Sequence, residues 1–539
     1  MFWVDHIADE IIKAFPGKKS FIVRDEKTLS GRVHIGSLRG FVIHGVVAQA
    51  LRERGCEVRY IFELNDADPM DGMPVYLDEK KFAPFMGKPL KDVPSPEPGF
   101  KNFPDYFGQE IKSVIEKMGF REGKEIEYVL ASELYSKGIY NKWIDKVLQS
   151  PEKIRAIYKE VSGSEKGDDW YPLQVICEKC GKIGTTRVIG VHGKEVEYHC
   201  EENMVKWARG CGYNGKTDPY DGRGKLPWKV EWAVKWQGNN VDIEGSGKDH
   251  NAAGGSRDVS VRVATEVLGG HVPFNIPYEF FLFGGAKMSS SKGKGASAKE
   301  VSDLIPPEML RFLMIGKQPN QPIDFDPEGD TIPRLYDRHD DVARVYFGGK
   351  PEFTNVEIDE NEKKDMKRLY HFSQTDPSHA DEHFLPRFSR VAFLLQLPHI
   401  DVEKEVEKLK GGTLTVEDEK ELGLRVELGK KWLSDYASER VKFELQKNTP
   451  EVARNLTPDQ QKFLRDIADL MDAKESSGEE LHGAIHELRK QSPLDAKNAF
   501  AAIYIALLGK DSGPQAGWFL EALDKEFVVK RFREVSNPS

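Results

Sequence analysis

The feature that most restricts this chain is a strand, turn, helix, strand succession near its start. Phe21-Ile22-Val23 is an apolar run of the kind that forms a buried strand. Ser30-Gly31-Arg32-Val33-His34-Ile35-Gly36-Ser37 follows, then helical spacing over 38–54 closed by Gly55. Val58-Arg59-Tyr60-Ile61-Phe62 supplies the next strand. Two strands joined through a helix lie parallel, so this unit predicts an α/β domain on a parallel sheet. The turn carries Gly31 and Gly36, which let a polyanion approach the backbone, and it opens a helix whose free N–H groups face that anion. His34 is placed to hydrogen-bond or carry charge there. Alone, the stretch is a tight turn; its meaning depends on a second motif far downstream.

That motif is Lys287-Met288-Ser289-Ser290-Ser291-Lys292-Gly293-Lys294-Gly295. It combines ammonium groups, hydroxyls and glycine flexibility in one exposed loop, the properties of a mobile clamp on a triphosphate. Isolated, the same run reads as a solvated linker. Polar residues also gather at two further strand ends, where ligands collect in open α/β sheets. Asn65-Asp66-Ala67-Asp68-Pro69 follows the second strand, and Gly247-Lys248-Asp249-His250 follows Val241-Asp242-Ile243. There the Asp249 carboxylate suits a ribose hydroxyl and His250 a polar substrate group, with a capped turn as the plainer reading.

At 539 residues the chain is long enough for several domains of roughly 100–200 residues each. It has no apolar window near the roughly 18 residues of a membrane span, and its N-terminus, Met1-Phe2-Trp3-Val4-Asp5-His6, lacks a secretory pattern. A cytoplasmic protein is expected. The formal net charge of −10 disfavours indiscriminate nucleic-acid binding, and DNA is not an expected partner, but a local basic surface remains compatible with RNA.

Four of the five cysteines fall between Cys177 and Cys211, which excludes a disulfide framework spread over the chain. Cys177-Glu178-Lys179-Cys180 is a metal knuckle, with Cys200 and Cys211 as the remaining thiolates. Four thiolates make a closed tetrahedral zinc site able to hold a small insert without its own core; His192 or His199 is the alternative for one ligand. Trp228, Trp232 and Trp236 recur every four residues on one helix face, where packing is the default and a cation site the alternative. Helices are expected over 105–118 and 133–161, an extended loop over 84–104, and charged amphipathic helices from about 330 onward, for example 421–447 and 458–472.

Together these motifs resemble the class I aminoacyl-tRNA synthetases, and within them the class I lysyl-tRNA synthetases. His34-Ile35-Gly36-Ser37 resembles the first class signature and Lys287-Met288-Ser289-Ser290-Ser291 the second. Ser30 to Gly36, Lys225-Leu226-Pro227-Trp228, Gly247-Lys248-Asp249-His250 with Gly254-Gly255-Ser256, Pro307-Glu308 with Arg311, and Asp511-Ser512-Gly513-Pro514 with Gly517-Trp518-Phe519 carry the narrower likeness. It implies a Rossmann-type catalytic domain in two halves, 1–64 and 241–330. An inserted region at 65–240, with a zinc subdomain at about 175–224, and an all-α anticodon-binding domain at 331–539 complete the expected organisation.

The implied reaction joins L-lysine to tRNA(Lys) through a lysyl-adenylate made from ATP, with Mg2+ at the phosphates and a structural Zn2+ on Cys177, Cys180, Cys200 and Cys211. His34, Ser37, Lys287 and Lys292 are the implied catalytic residues. ATP is expected at Gly31, His34, Gly36, Ser37, Gly247, Asp249 and the 287–291 loop, namely Lys287, Met288, Ser289, Ser290 and Ser291. Thr28, Trp228, His250 and Tyr278 would line the lysine pocket, with Glu26 beside them to meet the ammonium. A monomer is expected. The chain departs from the pattern at Ser37, where the class has His or Asn, at Leu29, where Pro is usual, at Glu26, often Gly, and at Ser290, often Lys. The stretch 95–106 lacks the Cys/His cluster of some relatives, so no second metal site is expected. Two rivals are a nucleotidyltransferase acting without tRNA and an RNA-binding module with a decayed site.

Overall fold

The computed structural model describes residues 1–287, 296–353, 357–377, 381–397, 400–439 and 441–537. Helix α1 (Trp3–Ala14) leads into strand β1 (Ser20–Thr28), helix α2 (Leu38–Glu53) and strand β2 (Glu57–Asn65). The two strands pair in parallel from Ser20 with Glu57 to Thr28 with Asn65. Strand β3 (Glu127–Leu130) extends the sheet in parallel beyond β2. On the other side of β1, Ile243 bridges Val23 and is itself bridged by Phe274, again parallel. The strand expected over Val241-Asp242-Ile243 is thus a single bridge. The Asp242 carboxylate, 2.9 Å from the Ile22 N–H, occupies a donor that a longer ladder would use.

Helix α2 is buried along nearly all its length, so an amphipathic pattern is absent from it. At Gly40 a Cβ would stand 2.3 Å from the Tyr278 hydroxyl, so glycine is what lets the helix lie against that ring. The first expected helix forms as Phe103–Lys117, capped by the Asn102 side chain on the Asp105 N–H. The second, expected over 133–161, is instead three helices, Ala131–Ser136, Asn141–Leu148 and Pro151–Ser162. Gly138 at φ +70° and Pro151 break it, one by turning left-handed and the other by removing a donor. The loop over 84–104 contains two short 3-10 turns and packs through Phe82, Leu90, Val93 and Phe103. The cysteine region is a three-stranded antiparallel sheet of Thr186–His192, Glu195–Cys200 and Asn214–Thr217.

The chain divides into two compact units, Met1–Phe325 with Asp341–Ala380, and Asp326–Asp340 with Asp381–Ser539. The second is helical, its core formed by residues such as Phe463, Ile467, Ile503, Leu507, Phe519 and Phe532. Capping boxes at Thr457 and Ser477 start Pro458–Ala473 and Gly478–Gln491. The helix expected over 421–447 ends at Asp435, in Val416–Asp435. The Tyr436 and Ala437 N–H groups both return to the Trp432 carbonyl, and the chain then runs alongside Leu507, whose carbonyl takes the Gln446 N–H at 2.9 Å. Within this unit Arg425 is buried against Asp340, with two N–O distances of 2.8 Å, and also donates to the Pro386 carbonyl.

Removing one partner of such a buried pair leaves an uncompensated charge. Arg425→Ala is expected to destabilise the helical unit by about 3–5 kcal/mol. Faster hydrogen exchange across Val416–Asp435, at unchanged protection of β1 and β2, is the measurement.

Candidate active site

At the carboxyl ends of β1 and β2 a cavity of about 690 Å³ opens. Its walls come from β1 and the residues after it, from 65–71, from Lys225 and the helix Trp228–Gly238, and from Glu244–Ser246 with His250 and Tyr278. Glu26, Thr28, Trp228, His250 and Tyr278, far apart in sequence, all line it. The aromatic wall is graded. Trp236 is fully buried, Trp232 is 8% exposed and Trp228 is 46% exposed, so the outer ring keeps a face for a ligand. The His250 ring lies 5.3 Å from Trp228 and 5.9 Å from Trp232. The tryptophans are therefore packing at one end of the helix and pocket wall at the other.

Beneath the aromatic wall lies a buried charge network. The parallel register sets Glu26 directly beside Glu63, an arrangement that repels unless a cation intervenes. Lys235 does so, at 2.8 Å from Glu26 and 2.7 Å from Glu63, and also reaches Glu231 at 3.4 Å. Arg24 pairs with Glu26, Glu63 and Glu244. Lys225 bridges Asp68 at 2.6 Å and Glu231 at 2.8 Å. Trp232 and Trp236 donate their indole N–H groups to Glu244, and Tyr135 donates to Glu231. Three cations thus face five carboxylates, an excess of two formal negative charges within this network, and Asp25, Asp71 and Lys27 also line the cavity.

Burial alone would raise the Glu26 carboxyl, but Lys235 and then Arg24 outweigh it and hold the group far below the usual carboxylate range. For Lys235 burial acts downward, and Glu231, Glu26 and Glu63 reverse it, so the ammonium stays charged well above the usual lysine range. Glu244 is the exception: burial raises it despite Arg24. Glu26 also accepts from Asn65 at 2.7 Å, and the Thr28 hydroxyl donates to Asp68 at 2.7 Å, so both expected pocket residues are held by protein partners.

The signature turn lies just beyond. Gly31 has φ +145°, and a Cβ there would stand 2.7 Å from the Tyr76 hydroxyl, which accepts the Arg32 N–H. His34 and Ser37 touch, Nε2 to Oγ 3.2 Å, with Gly36 in the short turn Ile35–Ser37 that opens α2. Met288, Ser289, Ser290, Ser291 and Lys292 lie outside the described residues, but both flanks of their loop are placed. Lys287 pairs with Leu282 in a hairpin, while Ala296 accepts the Ile35 N–H and Ala298 donates to the Val33 carbonyl. The segment that follows the second motif, 296–298, therefore lies beside 33–35 of the first. Gly247 pairs with Tyr278 in a short parallel ladder, and Asp249 sits in the turn of helix that follows, Lys248–Asn251.

The sequence does not mark Arg24, Glu63, Glu231, Lys235 or Glu244, and it shows Asp68 and Lys225 only as members of the stretches 65–69 and 225–228, with no role of their own. A signal existed for two of them. Glu231 and Lys235 follow Trp228 by three and seven residues, so they share the tryptophan face rather than a solvated one. The cysteines do meet. The Sγ atoms of Cys177, Cys180, Cys200 and Cys211 all lie within 4.8 Å of one another, with Cys177 to Cys211 and Cys180 to Cys200 both at 3.7 Å. Tetrahedral zinc with Zn–S near ~2.3 Å sets its sulfurs ~3.8 Å apart, so the cluster fits the ion. His192 is instead paired with Glu197 at 3.0 Å, and His199 is outside the cluster.

Residues 1–376 match the family described as tRNA synthetases class I (K), and residues 433–536 match an anticodon binding domain. The lysine–tRNA ligase 1 of Methanosarcina acetivorans is 32% identical, over 99% of this chain and 98% of its own length. The lysine–tRNA ligase of Methanococcus maripaludis is 32% identical over 99% of both chains. That of Pyrococcus furiosus is 33% identical over 98% of this chain and 99% of its own.

The charge network carries a pH signature. A carboxyl held below its ordinary value of 4.5 stabilises the fold above that pH, and the contribution is lost as the pH falls through and below it. Glu26→Gln, which has nothing to titrate, is expected to be less stable at neutral pH and to lose less stability on acidification. Urea midpoints measured across the acid range give the comparison.

Proposed function

The chain belongs to the class I tRNA synthetases of the lysine type, and we propose from its cavity how it selects lysine and joins it to tRNA. The reaction has two steps. The lysine carboxylate attacks the α-phosphate of ATP to give lysyl-adenylate and pyrophosphate, and the terminal ribose of tRNA then takes the lysyl group. The observation that carries the substrate assignment is the cavity's excess negative charge behind the exposed Trp228 face. A cationic side chain is attracted to both, by Coulomb attraction and by the ring quadrupole. Trp228, Trp232, His250 and Tyr278 would shape the pocket. Glu26 and Thr28 would act less as direct ligands than as members of the network that keeps it negative, since each is already bonded within the protein.

A carboxylate is ionised at neutral pH, so adenylation calls for in-line positioning and dispersal of phosphate charge rather than a strong base. His34 would donate to the phosphates beside the opening of α2. Ser37, in contact with His34, would hold the imidazole in place. Lys287, the serines and Lys292 would close on the outer phosphates, consistent with the anchoring of their loop beside 33–35. Gly31, Gly36, Gly247 and Asp249 would complete the nucleotide site, with the Asp249 carboxylate on the ribose. Mg2+ would share the triphosphate charge when bound. Zinc on the four cysteines would hold the small antiparallel insert together.

The helical residues within 433–536 would receive the anticodon. The expected boundaries, with halves of the catalytic domain at 1–64 and 241–330, an insert at 65–240 and a helical domain from 331, belong to the same proposal, as do a monomeric state and a cytoplasmic location. Among the described residues no helix is long and apolar enough to cross a membrane.

Purified protein is expected to catalyse ATP–pyrophosphate exchange with lysine and not with glutamate, arginine or cysteine. Exchange with one of those instead of lysine would move the assignment to a sister enzyme, and none with any amino acid would remove it. For the metal, elemental analysis is expected to find zinc on the purified chain. Cys180→Ser and Cys200→Ser are expected to lose it, together with hydrogen-exchange protection over 186–217, while β1 and β2 stay protected.

A further inference from the structure

Lys27 lies in the wall of the cavity, one residue from Thr28 and three from the start of the signature stretch. Strand alternation puts it on the face of β1 shared with Asp25, opposite Arg24, Glu26 and Thr28. That face looks toward α2, because the Asp25 carboxylate meets His44 Nδ1 at 3.2 Å. The other nitrogen of His44 accepts the Gly245 N–H at 2.6 Å, so Nδ1 carries the proton and donates to Asp25. The second Asp25 oxygen takes the Glu26 N–H at 2.7 Å.

Both Asp25 oxygens are thus engaged elsewhere. Of the other acidic groups bordering the cavity, Glu26 is engaged by Lys235, Asp68 and Glu231 by Lys225, and Glu244 by Arg24, while burial and the neighbouring Asp68 raise the Asp71 carboxyl. Among the described residues no carboxylate lies within ion-pair distance of the Lys27 ammonium, whereas Lys225, the other lysine lining the cavity, has two. Burial pulls the Lys27 ammonium below the usual lysine range, with only the Asp25 charge acting against it. An unpaired, partly desolvated cation attracts an anion more strongly than a solvated one does.

We propose that Lys27 is a catalytic residue of adenylation, its ammonium lying between the lysine carboxylate and the α-phosphate of ATP. This rests on the lysine-activating reading of the cavity. The carboxylate-rich walls suit the ammonium groups of the substrate but repel its carboxylate and the phosphate, and two anions must still be brought together. A cation at the end of β1, between the aromatic wall and the His34 turn, removes that repulsion. As the carboxylate oxygen bonds to the α-phosphorus, the bond from that phosphorus to the bridging oxygen breaks. Pyrophosphate leaves with the electron pair, and Lys27 keeps all its protons. Ser37 and Ser290 are uncharged, and Lys287 and Lys292 are assigned to the outer phosphates, so the cation between carboxylate and α-phosphate is left to Lys27.

The test uses full-length protein, with Lys27→Gln and Lys27→Arg compared to the unsubstituted chain in lysine-dependent ATP–pyrophosphate exchange. Cadaverine, which is lysine without its carboxylate, serves as a competitive inhibitor reporting on the side-chain pocket. Lys27→Gln is expected to lose about 100-fold in kcat, in the range for removing one group that stabilises transition-state charge. Lys27→Arg is expected to recover part of that loss, and cadaverine inhibition to be unchanged in both. Unchanged kcat in Lys27→Gln overturns the proposal, as does a raised KM for lysine at normal kcat, or an equal loss of cadaverine affinity. Absence of lysine-dependent exchange in the unsubstituted chain would instead refute the underlying assignment.

Discussion

Lys235 holds together three parts of the chain that sequence keeps far apart. Its ammonium contacts Glu26 on β1, Glu63 on β2 and Glu231 on its own helix. The parallel register that builds the sheet also forces Glu26 and Glu63 side by side, so the sheet and the helix Trp228–Gly238 depend on one another electrostatically. Burying one ammonium without partners costs several kcal/mol, and burying two adjacent carboxylates costs at least as much. Docking the helix cancels both penalties at once, and the same contact brings Trp228 and Trp232 over the carboxyl end of the sheet.

The consequence for chemistry is that the pocket's charge is set by the scaffold. Glu26 and Thr28 are spoken for by Lys235 and Asp68, and the excess negative charge is spread over several carboxylates. A diffuse field of this kind, closed on one side by aromatic rings, would discriminate by charge and shape. The phosphate side works differently. As proposed, it would rely on backbone geometry at Gly31, on the His34 and Ser37 contact, and on a loop whose downstream flank is hydrogen-bonded beside 33–35.

Local signals are legible in this sequence and long-range ones are not. The β1–α2–β2 unit follows from an apolar run, a glycine turn and helical spacing, each contained in a few residues. The expected helix over 133–161 is three helices: its apolar periodicity continues across Gly138 and Pro151, where backbone geometry rather than hydrophobicity decides. The helix over 421–447 stops early because the segment after Tyr436 finds backbone partners on the strip around Leu507, a contact that no local pattern announces. At the site, Trp228, His250 and Tyr278 were reached through motif resemblance. Arg24 and Glu63 are not legible in the sequence because a charged residue in a chain with 31% charged residues reads as solvated until its burial is known.

What the sequence determined by itself was the set of short-range commitments: the parallel strand unit, the cysteine knuckle, the two phosphate-type motifs and the helical character of the C-terminal part. These depend on spacing within a turn or a strand, which covalent geometry enforces. Only the tertiary structure decided which charges face each other. It pairs Lys235 with two neighbouring strands, gathers four thiolates within 4.8 Å and, among the described residues, gives Lys27 no carboxylate partner. Electrostatic pairing depends on distance and burial across hundreds of residues of chain, and neither exists until the sheet and its covering helix have closed on one another.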